Sequence, residues 1–163
     1  TGGASRQQQE RSARRLRQHF IVAGMGSLGH AVVRELRGRG EKVVCIELNR
    51  PPAETDTPLH GVPVIDGDAT QADALLRAGI DRARALLAVT SADGANLEIA
   101  LRARSLTDQH RPQVPLPVII SCQDELLAAR LRTASNAYFP LSAAELAVVE
   151  AELRRANPLV HPR

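Results

Sequence analysis

The feature that most constrains this chain is a glycine-spaced turn, Gly24-Met25-Gly26-Ser27-Leu28-Gly29, set between two different hydrophobic patterns. Before it, Phe20-Ile21-Val22-Ala23 is a short apolar run closed by glycine. That is too short for a helix and suits a strand buried on both faces. After it, Leu28, Val32, Val33 and Leu36 recur at helical spacing until Gly38 and Gly40. A strand entering a tight glycine turn that opens a helix is the first half of a parallel βαβ unit.

The remainder of the chain repeats that alternation. Val43–Ile46, Val62–Ile65, Ala85–Val89 and Val118–Cys122 read as further buried strands, with Tyr138-Phe139 as a brief sixth. Helices are expected over Ala69–Ala78, Ala95–Leu106, Asp124–Thr133 and Ala143–Arg155. Asp124 has the character of an N-cap, and Ser142 with Glu145 forms a capping box. The expected fold class is α/β: a Rossmann-type doubly wound parallel sheet of about six strands, order 3-2-1-4-5-6, with helices on both faces.

Three segments are expected. Residues 1–18 carry five arginines against Glu10 and little apolar content, so they read as a basic linker or connector of fair helix propensity, too thinly apolar to pack. Residues 19–156 form the domain, and 157–163 a tail after Asn157-Pro158.

The glycine turn carries the chemistry. Gly24 permits the tight turn, Gly26 lets backbone approach a pyrophosphate, and Gly29 lets helix and strand pack closely. Free amides and the helix dipole then favour phosphate. Glu47, at the end of the second strand, is placed to accept ribose hydroxyls and to repel a 2′-phosphate, so NAD or an adenine nucleotide is favoured over NADP. Asp66-Gly67-Asp68-Ala69-Thr70 and Thr90-Ser91 follow strands whose carboxyl ends face the same crevice. Asp68, Thr70, Thr90 and Ser91 are equally explained as turn and cap residues.

Composition narrows the alternatives. Lys42 is the only lysine, the net charge is +3, and there is no tryptophan. With Phe20, Tyr138 and Phe139 as the only aromatic residues, the stacking platforms of single-strand binding are missing, and no nucleic-acid partner is expected. No apolar run approaches the ~20 residues that span a bilayer, so this chain is not expected to insert into a membrane. No secretory signal is visible. Cys45 and Cys122 sit in apolar runs without metal-site spacing and read as small buried hydrophobes; no metal site is expected. His19, His30, His60, His110 and His161 are scattered and read mostly as surface or turn residues. With no evident acid partner for them, and no lysine four residues after Tyr138, no catalytic residue is assigned.

Taken in order, IVAGMGSLG, CIEL, IDGDAT and LLRAGIDRARALLAVTSADGANL resemble the RCK family, the regulators of potassium conductance, also called Trk-type N-terminal domains. The likeness runs from about His19 to Val149, and its most specific part is the T-S-x-D-x-x-N stretch. The resemblance implies a cytoplasmic, non-enzymatic regulatory (gating) domain that senses NAD(H), ATP, ADP or AMP for a potassium channel or transporter membrane subunit. It places Gly24, Met25, Gly26, Ser27, Leu28, Gly29, Glu47, Asp68, Ala69 and Thr90 around the nucleotide, with Asn96 steadying the loop after strand four. It also implies a homodimer, extending to a larger ring in a full-length protein of which this chain is a domain. The surplus apolar residues of the last two helices point the same way. Departures from the family are Ser121 where an arginine is frequent on strand five, Pro51-Pro52 after strand two, and Thr133–Ala137 where a glycine is usual. The alternative is the cofactor domain of an NAD-dependent oxidoreductase.

Overall fold

The computed structural model describes residues 2–49 and 60–127. Within them lie helix α1 (Gly2–Arg15), strand β1 (Phe20–Ala23), helix α2 (Ser27–Gly38), strand β2 (Val43–Glu47) and strand β3 (Val64–Asp66). Helix α3 (Ala72–Arg77), a 3-10 turn (Ile80–Arg82), strand β4 (Ala85–Ala88), helix α4 (Asp93–His110) and strand β5 (Val118–Ile120) follow. The expected sixth strand, the helix over 143–155 and most of that over 124–133 lie outside the described residues. At its start, Asp124 Oδ1 accepts the Leu127 amide at 2.9 Å, the bond expected of an N-cap.

The sheet is wholly parallel with the order β3-β2-β1-β4-β5. Residues of β1 alternate between two cores, which is why this run is apolar throughout. Phe20 and Val22 pack on one side with Val32, Val33 and Leu36 of α2. Ile21 and Ala23 pack on the other with Leu75 of α3, Ile99 and Ala103 of α4, and Ala13 of α1. Helices thus cover both faces, and a strand covered on both faces has no room for polar alternation.

Several boundaries differ from expectation. Helix α3 starts at Ala72 rather than Ala69, because Asp66 to Gln71 is spent on a side-chain-supported turn. Helix α4 begins at Asp93, two residues early, and runs on to His110. Strand β5 stops at Ile120, and Cys122 is half-buried beyond it, its thiol directed at the Asp124 carbonyl (3.3 Å). Cys45 is buried as expected, and burial pushes its thiol up to about 12.

The leader packs after all. Helix α1 docks beside β3, mostly through polar contacts. Gln9 Oε1 accepts the Val64 amide of the edge strand (3.0 Å), Glu10 pairs with Arg77 (3.0 Å), and Arg6 pairs with Asp66 (2.9 Å). Arg82 donates to the Leu16 carbonyl at the end of the helix (3.0 Å). Hydrophobic counting misses such docking, since among the described residues its apolar anchors are Ala13 and Leu16. His19 is the second correction. It is fully buried, with Nε2 2.8 Å from the Ala78 carbonyl and Nδ1 without a partner. Burial, the largest cause, holds its pKa below the usual histidine range.

Candidate functional site

The carboxyl ends of β1, β2, β3 and β4 converge where the strand order turns from β1 outward in both directions. In an open parallel sheet this switch point leaves a crevice, because successive crossovers depart to opposite faces. The glycine turn lies there. Gly24 leaves β1 with its amide on the Ile46 carbonyl (3.0 Å) and φ of +100°. A β-carbon on it would stand 2.9 Å from the Thr90 amide nitrogen, so the turn and the loop after β4 touch backbone to backbone. A β-carbon on Gly29 would overlap the Gly24 carbonyl oxygen, so only glycine lets α2 sit this close. Gly26 differs from both: a β-carbon there meets nothing within 4 Å. The protein's own packing does not require this glycine, and the space beside it is open.

Gly26 is also the N-cap of α2, in extended conformation and without a side-chain cap, and the first turn holds no acidic residue. First-turn amides of a helix have no intrahelical acceptors, and the dipole places partial positive charge there. The Gly26 carbonyl accepts from the His30 amide (3.0 Å) and lies 2.9 Å from His30 Nδ1. The donors at Ser27 and Leu28 therefore front an uncapped helix start.

Glu47 ties the second strand to this turn. Its Oε2 accepts the Met25 amide at 2.7 Å, Oε1 accepts the Asn49 amide at 3.2 Å, and its carbonyl accepts the Gly67 amide at 3.1 Å. The sequence-based expectation placed Glu47 at the crevice, and the structure brings it there. A carboxylate has about four acceptor sites, so two amides leave capacity for further donors.

Asp68 and Thr70 resolve as turn chemistry. Asp68 Oδ1 accepts the Thr70 amide (2.9 Å) and hydroxyl (2.7 Å), an Asx turn ahead of α3. Neither is the N-cap, which is Gln71. Ala69 is buried in the core beside Ala74 and Leu75 of α3.

Thr90 is held by Asn96. The Thr90 amide and hydroxyl donate to Asn96 Oδ1 (2.9 and 2.6 Å), while Asn96 Nδ2 donates to the carbonyls of Thr90 (3.0 Å) and Ser121 (2.9 Å). Asn96 is fully buried, and it joins the loops after β4 and β5. Ser121, the position where the resemblance expects arginine, contributes its backbone to this bridge. Sequence reasoning assigned no role to Asp93. Its carboxylate accepts the amides of Gln123 (2.9 Å) and Asp124 (2.9 Å), and those bonds, Gln123 first, hold its pKa below the usual carboxylate range. The T-S-x-D-x-x-N spacing was the available signal, since it puts Asp93 and Asn96 on adjacent turns of the start of α4.

A separate cleft of about 260 Å³ lies away from the glycine turn, between α1, β3 and α3, lined by Arg6, Glu10, Val64, Asp66 and Arg77. Among the described residues no group of three or more His, Cys, Asp or Glu side chains is arranged to hold a metal.

The family model described as the TrkA-N domain matches residues 20–139. The Trk system potassium uptake protein TrkA homolog of Pyrococcus horikoshii is 35% identical over 88 residues, covering 54% of this chain and 39% of that protein. The solved GsuK channel bound to NAD superposes with a TM-score of 0.57 at 25% identity, covering 78% of this chain and 22% of that one. The Shewanella denitrificans Kef C-terminal domain in AMP-bound form superposes with a TM-score of 0.54 at 25% identity, covering 86% and 89%. The chain spans 14% to 39% of the length of the first curated relatives it matches.

Proposed function

The chain belongs to the TrkA-N domain family, and from that premise we propose that it is a regulatory domain that binds an adenine nucleotide and transmits its bound state to a potassium channel or transporter on the cytosolic side of a membrane. The observation that carries this is the uncapped start of α2 facing the open space at Gly26, flanked by Glu47 and by the Thr90 loop. Phosphate is the ligand chemistry for such an end: free amides and dipole attract it, and the absent β-carbon lets it approach.

In this reading Gly24, Gly26 and Gly29 shape the turn, the amides of Ser27 and Leu28 face the phosphates, and Met25 lines the turn with its amide held by Glu47. Glu47 offers its remaining lone pairs to ribose hydroxyls and repels a 2′-phosphate, so NAD(H), ATP, ADP or AMP is preferred over NADP. Asp68 and Ala69 form the wall beside the base through their turn, and Thr90 closes the phosphate side. The relatives that hold NAD or AMP support this ligand class. A regulatory rather than catalytic role is supported by relatives named for potassium uptake and potassium channels.

Binding regulates only through differential affinity for two states of the partner. The Gly24–Thr90 and Asn96–Ser121 contacts offer a route, since they join the turn to the loops after β4 and β5. We further propose a homodimer, extending to a ring in a longer protein. The helices that motivated it, over 124–133 and 143–155, lie largely outside the described residues. Residues 1–18 serve as the connector, 19–156 as the domain and 157–163 as a tail. The test is calorimetric titration with NAD, NADH, ATP, ADP, AMP and NADP. At least one of the five ligands without a 2′-phosphate binds, and NADP binds more weakly; absence of heat and of thermal stabilisation with all six at millimolar concentration overturns the proposal.

A further inference from the structure

Helix α1 has two faces of different character. Gln9, Glu10, Ala13 and Leu16 dock on the domain, the first two through a hydrogen bond and an ion pair. The opposite face carries Gln7, Arg11, Arg14 and Arg15, related by helical spacing and all exposed, with exposed Arg17 just beyond. None of Arg11, Arg14, Arg15 and Arg17 has an ion-pair partner among the described residues. Two acids of the domain pair with other arginines: Glu10 with Arg77 and Asp81 with Arg82. The helix dipole favours cations in the last turn, which suits Arg14 and Arg15 but not Arg11, a turn earlier. The arrangement is three like charges on a helix whose orientation is fixed by polar docking, with a fourth just past its end.

We propose that this arginine face of α1 is an electrostatic docking surface for anionic lipid headgroups, which lays the domain against the membrane beside its transport partner. The choice of a membrane rests on the proposed place of the chain in a potassium system. The composition of the face supports it independently. The other exposed residues around these arginines are Gln7, Gln8, Ser12 and Gln18, so the face lacks the aromatic or apolar centre on which protein interfaces concentrate their energy. It equally lacks the aromatic stacking groups of single-strand nucleic-acid surfaces. A sheet of headgroups needs neither, because a juxtamembrane cluster of basic residues is attracted by the field of the leaflet. With no apolar residue to insert, the attachment is purely electrostatic, hence reversible and sensitive to salt.

The experiment is co-sedimentation of the chain, without nucleotide, with vesicles containing phosphatidylglycerol or of phosphatidylcholine alone. Wild type partitions onto the first and not the second, and is released as salt rises from about 0.1 M to about 1 M, where the Debye length falls from ~10 Å to ~3 Å. Each arginine contributes roughly fivefold, the equivalent of about 1 kcal/mol per basic residue near an anionic surface, so Arg11→Gln/Arg14→Gln/Arg15→Gln lowers partitioning on the order of 100-fold. Arg34→Gln, an exposed arginine of α2, changes it no more than nonspecific charge loss does. Circular dichroism checks that the variants fold, and the wild-type arms need no variant. Wild type that ignores anionic vesicles overturns the proposal, as does a triple variant that binds like wild type. Tighter capture by duplex DNA or by polyglutamate than by vesicles at equal salt also overturns it. Calorimetric nucleotide titration of the triple variant stays at the wild-type value, so a failed vesicle assay leaves the nucleotide reading standing.

Discussion

Gly26 and Gly29 belong to one motif, yet the structure assigns them separable roles, and paired alanine substitutions measure the separation. At Gly29 the new β-carbon overlaps the Gly24 carbonyl oxygen, a backbone atom that cannot swing aside. Relief requires α2 to back away from β1, which disturbs the packing of Val32, Val33 and Leu36 on the sheet. Forced overpacking of this kind costs about 1–3 kcal/mol. For a domain of this size that lowers Tm by roughly 2–4 °C per kcal/mol, so about 2–12 °C in all. At Gly26 a β-carbon meets nothing, and the backbone is extended (φ −74°, ψ −165°), a conformation alanine adopts freely. Alanine is the poorer N-cap, by up to about 1 kcal/mol, but it loses less chain entropy on folding, by about 0.4–1 kcal/mol. These terms nearly cancel, and Tm should move by no more than ~2 °C. Nucleotide affinity should respond in the opposite order. Gly26→Ala fills the space a phosphate would use and should weaken binding at least tenfold, and Gly26→Asp more, by adding charge repulsion. The assays are differential scanning fluorimetry without ligand and calorimetry with the tightest nucleotide. A stable Gly26→Ala protein with unchanged affinity would falsify the placement of phosphate at this helix start. A Gly29→Ala protein with unchanged Tm would refute the close approach of α2 to the turn.

Four further outcomes are expected. Asn96→Ala strips the buried partner from the Thr90 amide and the Thr90 and Ser121 carbonyls, and should cost roughly 2–3 kcal/mol; a urea midpoint shift worth less than about 0.5 kcal/mol contradicts the bridging role. His19 has a lowered pKa in the fold, so its contribution to stability is present above the unfolded value of about 6.5 and is lost as pH falls through the folded value. His19→Gln, which still donates to the Ala78 carbonyl, should therefore show a shallower loss of stability between pH ~6.5 and ~5 than wild type, and parallel curves refute the assignment. Glu47→Ala should narrow the preference for NAD over NADP by repealing charge repulsion, and tighter NADP binding by wild type contradicts the role given to Glu47. Light scattering should give twice the 17.6 kDa chain mass, with Val149→Glu splitting the dimer; a clean monomer up to ~100 μM, well above the Kd of stable interfaces, contradicts it.

The sequence by itself determined the architecture, because burial on both faces writes itself into local pattern. The four-residue apolar runs at Phe20 and Val43 and the five-residue run at Ala85 read as buried strands, and the helical stripe of Leu28 to Leu36 supplies the cover for one face. The position of the crevice followed from the glycine spacing and from the acid at the end of β2. The likeness of the stretch through Asp93 and Asn96 to a known family pointed to the loop after β4. What only the tertiary structure decided is which polar groups meet. That Asp68 closes its own turn rests on two hydrogen bonds that carry no periodicity. The attachment of Glu47 to the Met25 amide links residues 22 positions apart, and the bridge from Asn96 to Ser121 spans 25. The docking of α1 rests on Gln9, Glu10 and Arg6 meeting partners more than fifty residues away, and the burial of His19 on a carbonyl 59 residues on. Hydrophobic period is a local property of the chain, legible residue by residue. A buried hydrogen bond is a property of a pair, and neither partner announces the other until the chain has brought them within 3 Å.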